Sequence, residues 1–249
     1  MASPTVAVIR QGAVAIATID NPASGNQLDD ALRAALVDAC VAIAESDARV
    51  VVFEGAGGVF ASGAFRPTTH AGANGAGALV AGLRLPTIAW IDGACLDMGL
   101  ELALACDVRV ASASASFGLR QVRDGGLPWD GGTQRLARLV GRGHALRLLL
   151  TGEVVDATEA ERMGLVERVG VRAAALELAT AIAAGAPIAA AYTAEAVREG
   201  LDLTLEQGLR LEADLSVLLQ STGDRTAGLR WFADRADTES SGPPTYEGK

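Results

Sequence analysis

One stretch constrains this chain more than any other: Thr87 to Ser112, TIAWIDGACLDMGLELALACDVRVAS. Thr87 to Ile91 is β-branched and aromatic, and Asp92-Gly93 signals a turn. Leu96 to Ala105 is apolar except at Asp97, Gly99 and Glu101, and Val108 to Val110 again reads as a strand. Strand, tight turn, helix and strand follow one another with almost no spacer. A helix starting here aims unpaired main-chain N–H groups into the space above the first strand. Glu101 falls near that start, among Leu100, Leu102, Ala103 and Leu104. A carboxylate in such surroundings is costly unless it is paired or functional. Both readings stand: an acid/base group, or one half of a structural salt bridge.

The flanking sequence extends the pattern. Thr5 to Val8 and Ala13 to Ile19 form a hairpin around Arg10-Gln11-Gly12, and Asn21 to Gln27 is a loop. Asp29 to Ala44 repeats apolar residues at helical spacing. Val50 to Glu54 is a buried strand, Val59 to Ala64 a second one, and Leu79 to Leu85 a helix. Beyond the central stretch come a short strand over Ser116 to Val122 and helices over Gly131 to Val140 and Gly143 to Leu150. A capped helix from Asp156 to Met163 and a strand-like return over Gly164 to Val169 follow. This alternation is α/β. From Ala173 the period is helical throughout: Ala173 to Ala184, Pro187 to Gly200, Leu203 to Gln220 and Thr226 to Ala233. The expected organisation is a core over 1–170, a helical region over 171–249, and a mobile polar tail from Asp237.

With 249 residues, half of them hydrophobic, the chain can bury one medium-sized core. A net charge of −9 argues against nucleic acid as the main partner. Cys40, Cys95 and Cys106 have no metal-ligand spacing and read as buried thiols in a reducing compartment. No apolar run reaches the ~18 residues of a membrane span, and no secretory pattern opens the sequence. The expectation is a soluble cytoplasmic protein.

Three segments together resemble the crotonase superfamily, the enoyl-CoA hydratase/isomerase family. Phe60-Ala61-Ser62-Gly63-Ala64 is similar to the family's strand-end pattern F-[SA]-[AS]-G. Ile91 to Asp107 is similar to N-G-x-A-x-G-G-G-x-E-L-A-x-A-x-D. Phe117-Gly118-Leu119, Gly131 to Leu136, Leu139-Val140-Gly141, Leu150-Thr151-Gly152 and Gly164-Leu165-Val166 complete the order. The resemblance spans nearly the whole chain. It implies a crotonase-like spiral of ββα units followed by a helical C-terminal region used in oligomerisation, in homotrimers or dimers of trimers. It also implies an acyl-CoA thioester as ligand, no metal, and no cofactor other than the coenzyme A of the substrate.

The resemblance further implies an oxyanion hole, two main-chain N–H groups that hold the charge building on the thioester oxygen as an enolate forms. By position these are Ala64 N–H and Met98 N–H. Glu101 matches one of the two glutamates with which hydratases of the family work around a water. The second glutamate's place is taken by Gln121, which can orient a water but not take its proton. Asp97-Met98-Gly99 stands where the family has three glycines. Asp97 either caps the helix that follows or brings a negative charge toward the oxyanion. Pro128-Trp129-Asp130-Gly131-Gly132 replaces P-G-x-G-G. There Trp129 shortens or flattens the acyl pocket, and Asp130 is a second acid/base, a nucleophile, or the N-cap of the next helix. Ala61, Ser62, Phe65 and Arg66 complete the substrate-binding set, with Arg66 either meeting a phosphate or simply solvated. His70 reads as a surface histidine.

These features imply an enzyme of the enoyl-CoA hydratase/isomerase type (a lyase of the hydro-lyase class) with Glu101 as acid/base. Two alternatives stay open: an acyl-CoA or cyclic diketone hydrolase using Asp130, and a non-catalytic acyl-CoA-binding homologue.

Overall fold

The computed structural model describes residues 4–21, 23–63, 75–234 and 244–249. Its strands divide between two sheets. β1 (Thr5–Gln11) and β2 (Val14–Asp20) form the hairpin, paired from Thr5 opposite Asp20 to Gln11 opposite Val14. Helix α1 (Asp30–Ala44) follows, with the Asp29 carboxylate accepting from Leu32 N. Three successive strand pairs then each give one strand to each sheet. β3 (Val50–Gly55), β5 (Thr87–Ile91) and β7 (Val108–Ala111) join the hairpin, and β10 (Arg168–Val169) closes the six-stranded order β1-β2-β3-β5-β7-β10. β4 (Val59–Ala61), β6 (Ala94–Leu96) and β8 (Ser116–Gly118) build the second sheet with β9 (Val155–Asp156), in the order β4-β6-β8-β9. Helices α2 (Ala76–Ala81), α3 (Met98–Ala105) and α4 (Gly132–Thr151) each follow one pair. The repeating ββα path is the expected spiral.

Alternate residues of the central strands enter different cores, as a pleated strand requires. Ala15, Ala17, Val51, Phe53, Ala89 and Ile91 face the larger core with α1, α3 and the second sheet. Val14, Ile16, Val50, Val52, Ile88, Trp90 and Val110 face the other way, onto Ala174, Ala175, Ala179 and Ala183 of α6 (Arg172–Ala183). Both faces of the sheet are covered, which is why its parallel strands read as continuous apolar runs. Beyond α6 the described elements are α7 (Pro187–Gly200), α8 (Leu205–Leu219) and α9 (Gly223–Asp234). Among the described residues no single helix is long and apolar enough to cross a membrane.

The structure departs from the sequence reading in several places. β6 lies between the Asp92-Gly93 turn and α3, where no strand is predicted, and it is only three residues long. The strand expected over Ser116 to Val122 stops at Gly118, and Gln121–Asp124 form a 3-10 turn. α2 starts and ends earlier than the predicted Leu79 to Leu85, for a reason found in the site below. α5 (Ala157–Arg162) begins where expected, with Asp156 Oδ1 accepting from Glu159 N at 2.8 Å. The tail expected to be mobile is seated over 244–249: the Asp224 carboxylate accepts from Glu247 N and Gly248 N, and Arg49 donates to the Tyr246 carbonyl.

Candidate active site

α3 is buried from Met98 to Leu104, and its approach to β4 is set by one missing side chain. A Cβ on Gly99 would lie 2.1 Å from the Ala61 carbonyl oxygen, so only glycine lets the helix come this close. Glu101, one turn into the helix, is 0% exposed. Its Oε1 accepts two main-chain bonds, from Asp130 N at 2.7 Å and Gly132 N at 2.9 Å. Among the described residues Oε2 has no partner. Burial pushes the Glu101 carboxyl up to about 7 against the two main-chain donors, with Asp130 adding to the rise and Arg135 opposing it. The salt-bridge reading is not what the structure shows: no cation is bonded to this carboxylate among the described residues. A fully buried carboxyl that titrates near neutrality, with one oxygen fixed and the other unpartnered, can both take and give a proton.

Asp130 sits beside it with its side chain turned elsewhere. Oδ2 accepts from Gly77 N at 2.5 Å and Oδ1 from Ala78 N at 3.2 Å. Asp130 therefore caps the first turn of α2. It does not cap α4, whose N-cap is Gly131 with no side-chain bond. This long-range cap explains why α2 begins earlier than its own sequence suggests. Burial raises the Asp130 carboxyl, while the two α2 amides and Arg135 lower it. Arg135 Nη1 donates to the Asp130 carbonyl at 2.7 Å.

Asp97 occupies the N-cap position of α3, and its carbonyl accepts from Glu101 N at 3.0 Å, but its side chain does not cap the helix. The residue has φ +54° and ψ −119°, a backbone shape that favours glycine. Its 1% exposed carboxylate turns to Arg120: Oδ1 accepts from Arg120 N at 2.7 Å, and Oδ2 from Nε at 3.1 Å and Nη2 at 2.5 Å. A negative charge that could have opposed an oxyanion is thereby neutralised by a partner. Met98 N–H donates to the Gly63 carbonyl at 3.1 Å, so in this arrangement the main chain engages it. Gln121 is 8% exposed, and neither atom of its amide has a partner among the described residues.

The sequence profile of the enoyl-CoA hydratase/isomerase family matches residues 9–242. The chain belongs to this family. It is 37% identical over 254 residues to a protein of Rhizobium meliloti named as a probable enoyl-CoA hydratase, covering 96% of this chain and 98% of that one. It is 34% identical over 249 residues to the 2,3-dehydroadipyl-CoA hydratase of Escherichia coli, covering 94% and 98%. A crystal structure of an enoyl-CoA hydratase from Bacillus anthracis superposes with a TM-score of 0.91 at 34% identity, over 98% of this chain and 100% of that one. The crotonase fold and membership of an enzyme family of hydro-lyases follow.

Within this family member the other expected site residues are spread unevenly. Ala61 is buried in β4 against α3. Ser62 is held at the strand end, where its N–H donates to the Asn26 carbonyl at 3.1 Å and its carbonyl accepts from Leu28 N at 3.0 Å. Asn26, at φ +56°, fixes that end with its side chain: Oδ1 accepts from Asn21 N at 2.8 Å and Nδ2 donates to Val59 O at 2.6 Å. Trp129 packs half-buried against the main core. Ala64, Phe65, Arg66 and His70 lie outside the described residues. Sequence reasoning missed three participants. Arg120 directly precedes Gln121, and its partner Asp97 stands where the pattern has glycine; reading a carboxylate at that position as in need of a cation would have found the contact. The Asp130 and Gly132 N–H groups carry no side-chain signal at all.

Proposed function

We propose that this chain acts on an acyl-CoA thioester as an enoyl-CoA hydratase, with Glu101 as its acid/base. The observation that carries the reading is the Glu101 carboxyl: fully buried, held through Oε1 by two N–H groups, without a partner at Oε2 among the described residues and poised near pH 7. Gln121 supplies an amide, without a partner among the described residues, that can hold a water but cannot deprotonate it. One carboxylate then carries both proton steps. A water on Gln121 adds its oxygen to Cβ of the enoyl group while its proton passes to Glu101 Oε2. The C=C electron pair moves onto the thioester oxygen as an enolate. Collapse of the enolate takes the proton from Glu101 at Cα, so one water has been added across the double bond. The enolate oxygen is received by main-chain donors, for which Ala64 N–H and Met98 N–H are the candidates; Met98 N–H must share or release its bond to Gly63 O. Ala61, Ser62, Phe65, Arg66 and Trp129 are proposed to line the acyl and coenzyme A path.

Loss of the conjugated thioester absorbance of crotonyl-CoA tests the reading. Turnover by the wild type and a loss of roughly 10²–10⁴-fold in Glu101→Gln are expected. Equal turnover by the two proteins overturns it. Coenzyme A thioester binding without turnover would assign the chain to the non-catalytic reading, which the occupied Met98 N–H favours.

The assembly proposed with this function is a homotrimer or dimer of trimers built through 171–249. α7, α8 and the turn between them expose Val197, Leu201, Leu205 and Leu209, and the two helices bury only Leu215, an apolar surface that suits a partner subunit. Light scattering on the eluted protein decides the stoichiometry.

A further inference from the structure

The hydratase reading leaves Asp130 without a proton to move. Its carboxylate is 5% exposed, and both oxygens are taken by the first turn of α2. A buried acid with no cation on its side chain among the described residues is an expensive way to cap a six-residue helix. The same residue also touches the site through its main chain. Its N–H donates to Glu101 Oε1 at 2.7 Å, and its carbonyl accepts from Arg135 at 2.7 Å. The fit on the α2 side is close: a Cβ on Gly75 would fall 2.1 Å from Asp130 Oδ1. On the Glu101 side a Cβ on Gly132 would fall 3.0 Å from Oε1. The peptide that presents the N–H to Glu101 is thus held from both ends.

We infer that Asp130 is a positioning residue for Glu101: by clamping α2 with its carboxylate it fixes its own main-chain N–H on Oε1 and so turns Oε2 toward the substrate. This assigns Asp130 to the hydratase reading above, in place of a second acid/base or a nucleophile. Loss of the clamp lets the peptide drift, and a misplacement of about 1 Å at a reacting group can cost 10²-fold. The Asp130 charge acts on Glu101 as well. The charged groups that bear on Glu101 are Asp130, which raises its proton affinity, and Arg135, which lowers it. Removing the Asp130 charge moves the Glu101 titration to lower pH.

Two variants separate the roles. Asp130→Asn keeps an oxygen for the α2 amides and drops the charge; Asp130→Ala drops both. Asp130→Ala should lose kcat by roughly a hundredfold, with KM changing far less. Asp130→Asn should recover at least about tenfold of that loss. In Asp130→Asn, which keeps the clamp, the limb of the kcat/KM profile governed by Glu101 should move to lower pH. Two results overturn the inference: Asp130→Asn as inactive as Asp130→Ala with its pH limb unmoved, which marks proton transfer or attack by Asp130 itself, or Asp130→Ala with wild-type kcat and pH profile. A second readout does not depend on turnover. Carbon-13 NMR of labelled glutamate carboxyls, with Glu101→Gln to assign the resonance, follows the Glu101 titration directly. A downward move in Asp130→Asn supports the coupling even if crotonyl-CoA is not turned over; an unmoved titration overturns it, whatever the substrate proves to be.

Discussion

Arg120 holds Asp97 by three hydrogen bonds, one from its main-chain N–H and two from its guanidinium, across 23 residues of sequence. Asp97 sits at φ +54°, where a side chain costs roughly 1–3 kcal/mol. The pair therefore stabilises a junction between β6 and α3 that glycine would adopt without strain. Arg120→Ala should lower stability by about 1–3 kcal/mol, since the buried carboxylate keeps only one donor. The guanidinium's partial exposure (38%) keeps the loss at that level by admitting water. Asp97→Gly removes both the strain and the need for a partner, so the double variant should be more stable than Arg120→Ala alone. Urea unfolding of the four proteins measures the coupling. Additive single effects would mean that Asp97 is held by something other than Arg120.

Glu101 makes stability depend on pH in a stated direction. Its carboxyl titrates near 7 in the folded protein and near 4.5 when unperturbed. Below 4.5 both states carry the proton. Between 4.5 and 7 the unfolded chain loses it first, so stability falls as pH rises and levels off above 7, by up to about 3 kcal/mol in all. Asp130, whose carboxyl is also raised, contributes with the same sign. Glu101→Gln should flatten most of this dependence. Urea midpoints at closely spaced pH values check it, and an equally steep curve for the variant would place the proton uptake on another group.

What the sequence made legible was local or periodic. Helix α7 runs from Pro187 to Gly200 as predicted, because the proline at its first turn and the apolar period are properties of the segment itself. The Asp156 cap was readable because its partner is three residues away. The ββα order follows from the alternation of patterns, and the resemblance in Ile91 to Asp107 located the glutamate. What failed was decided at a distance. Asp97 and Asp130 both occupy positions where a local rule predicts a helix cap, yet each carboxylate is claimed by groups remote in sequence: Arg120 for one, Gly77 and Ala78 for the other. The start of α2 is set from 53 residues away, which no window over Leu79 to Leu85 can register. The donors on Glu101 are peptide groups, and every residue but proline has one.

Gln121 offers the sharpest test of how much hydratase machinery is intact. It is buried, and its amide makes no bond among the described residues, so a carboxylate of nearly the same shape fits without displacing a partner. Gln121→Glu should raise hydration of crotonyl-CoA by roughly tenfold or more, because a group that can accept the water's proton replaces one that cannot. The variant should also be less stable above neutral pH, where a further buried carboxyl resists ionisation. Initial rates with crotonyl-CoA decide it. No gain would show that the pocket around Trp129 does not bring Cβ to residue 121.

The C-terminal residues make a separate prediction about the helical region. Asp224, at the start of α9, is 4% exposed, and its carboxylate accepts from Glu247 N at 2.8 Å and Gly248 N at 3.1 Å. Gly223 N donates to the Lys249 carbonyl at 2.6 Å, and Arg49, just before β3, holds the Tyr246 carbonyl. The tail thereby ties the first strands to α9, and its amides leave water only because a buried anion receives them. Asp224→Ala removes that acceptor from two amides at once. It should cost about 1–3 kcal/mol and release the segment from the surface of the helices. Hydrogen exchange at Glu247 and Gly248 should rise to the rate of free peptide, and carboxypeptidase should trim the variant faster than the wild type. Protected amides in Asp224→Ala would mean that the bonds from Arg49 to the Tyr246 carbonyl and from Gly223 N to Lys249 suffice to hold the tail.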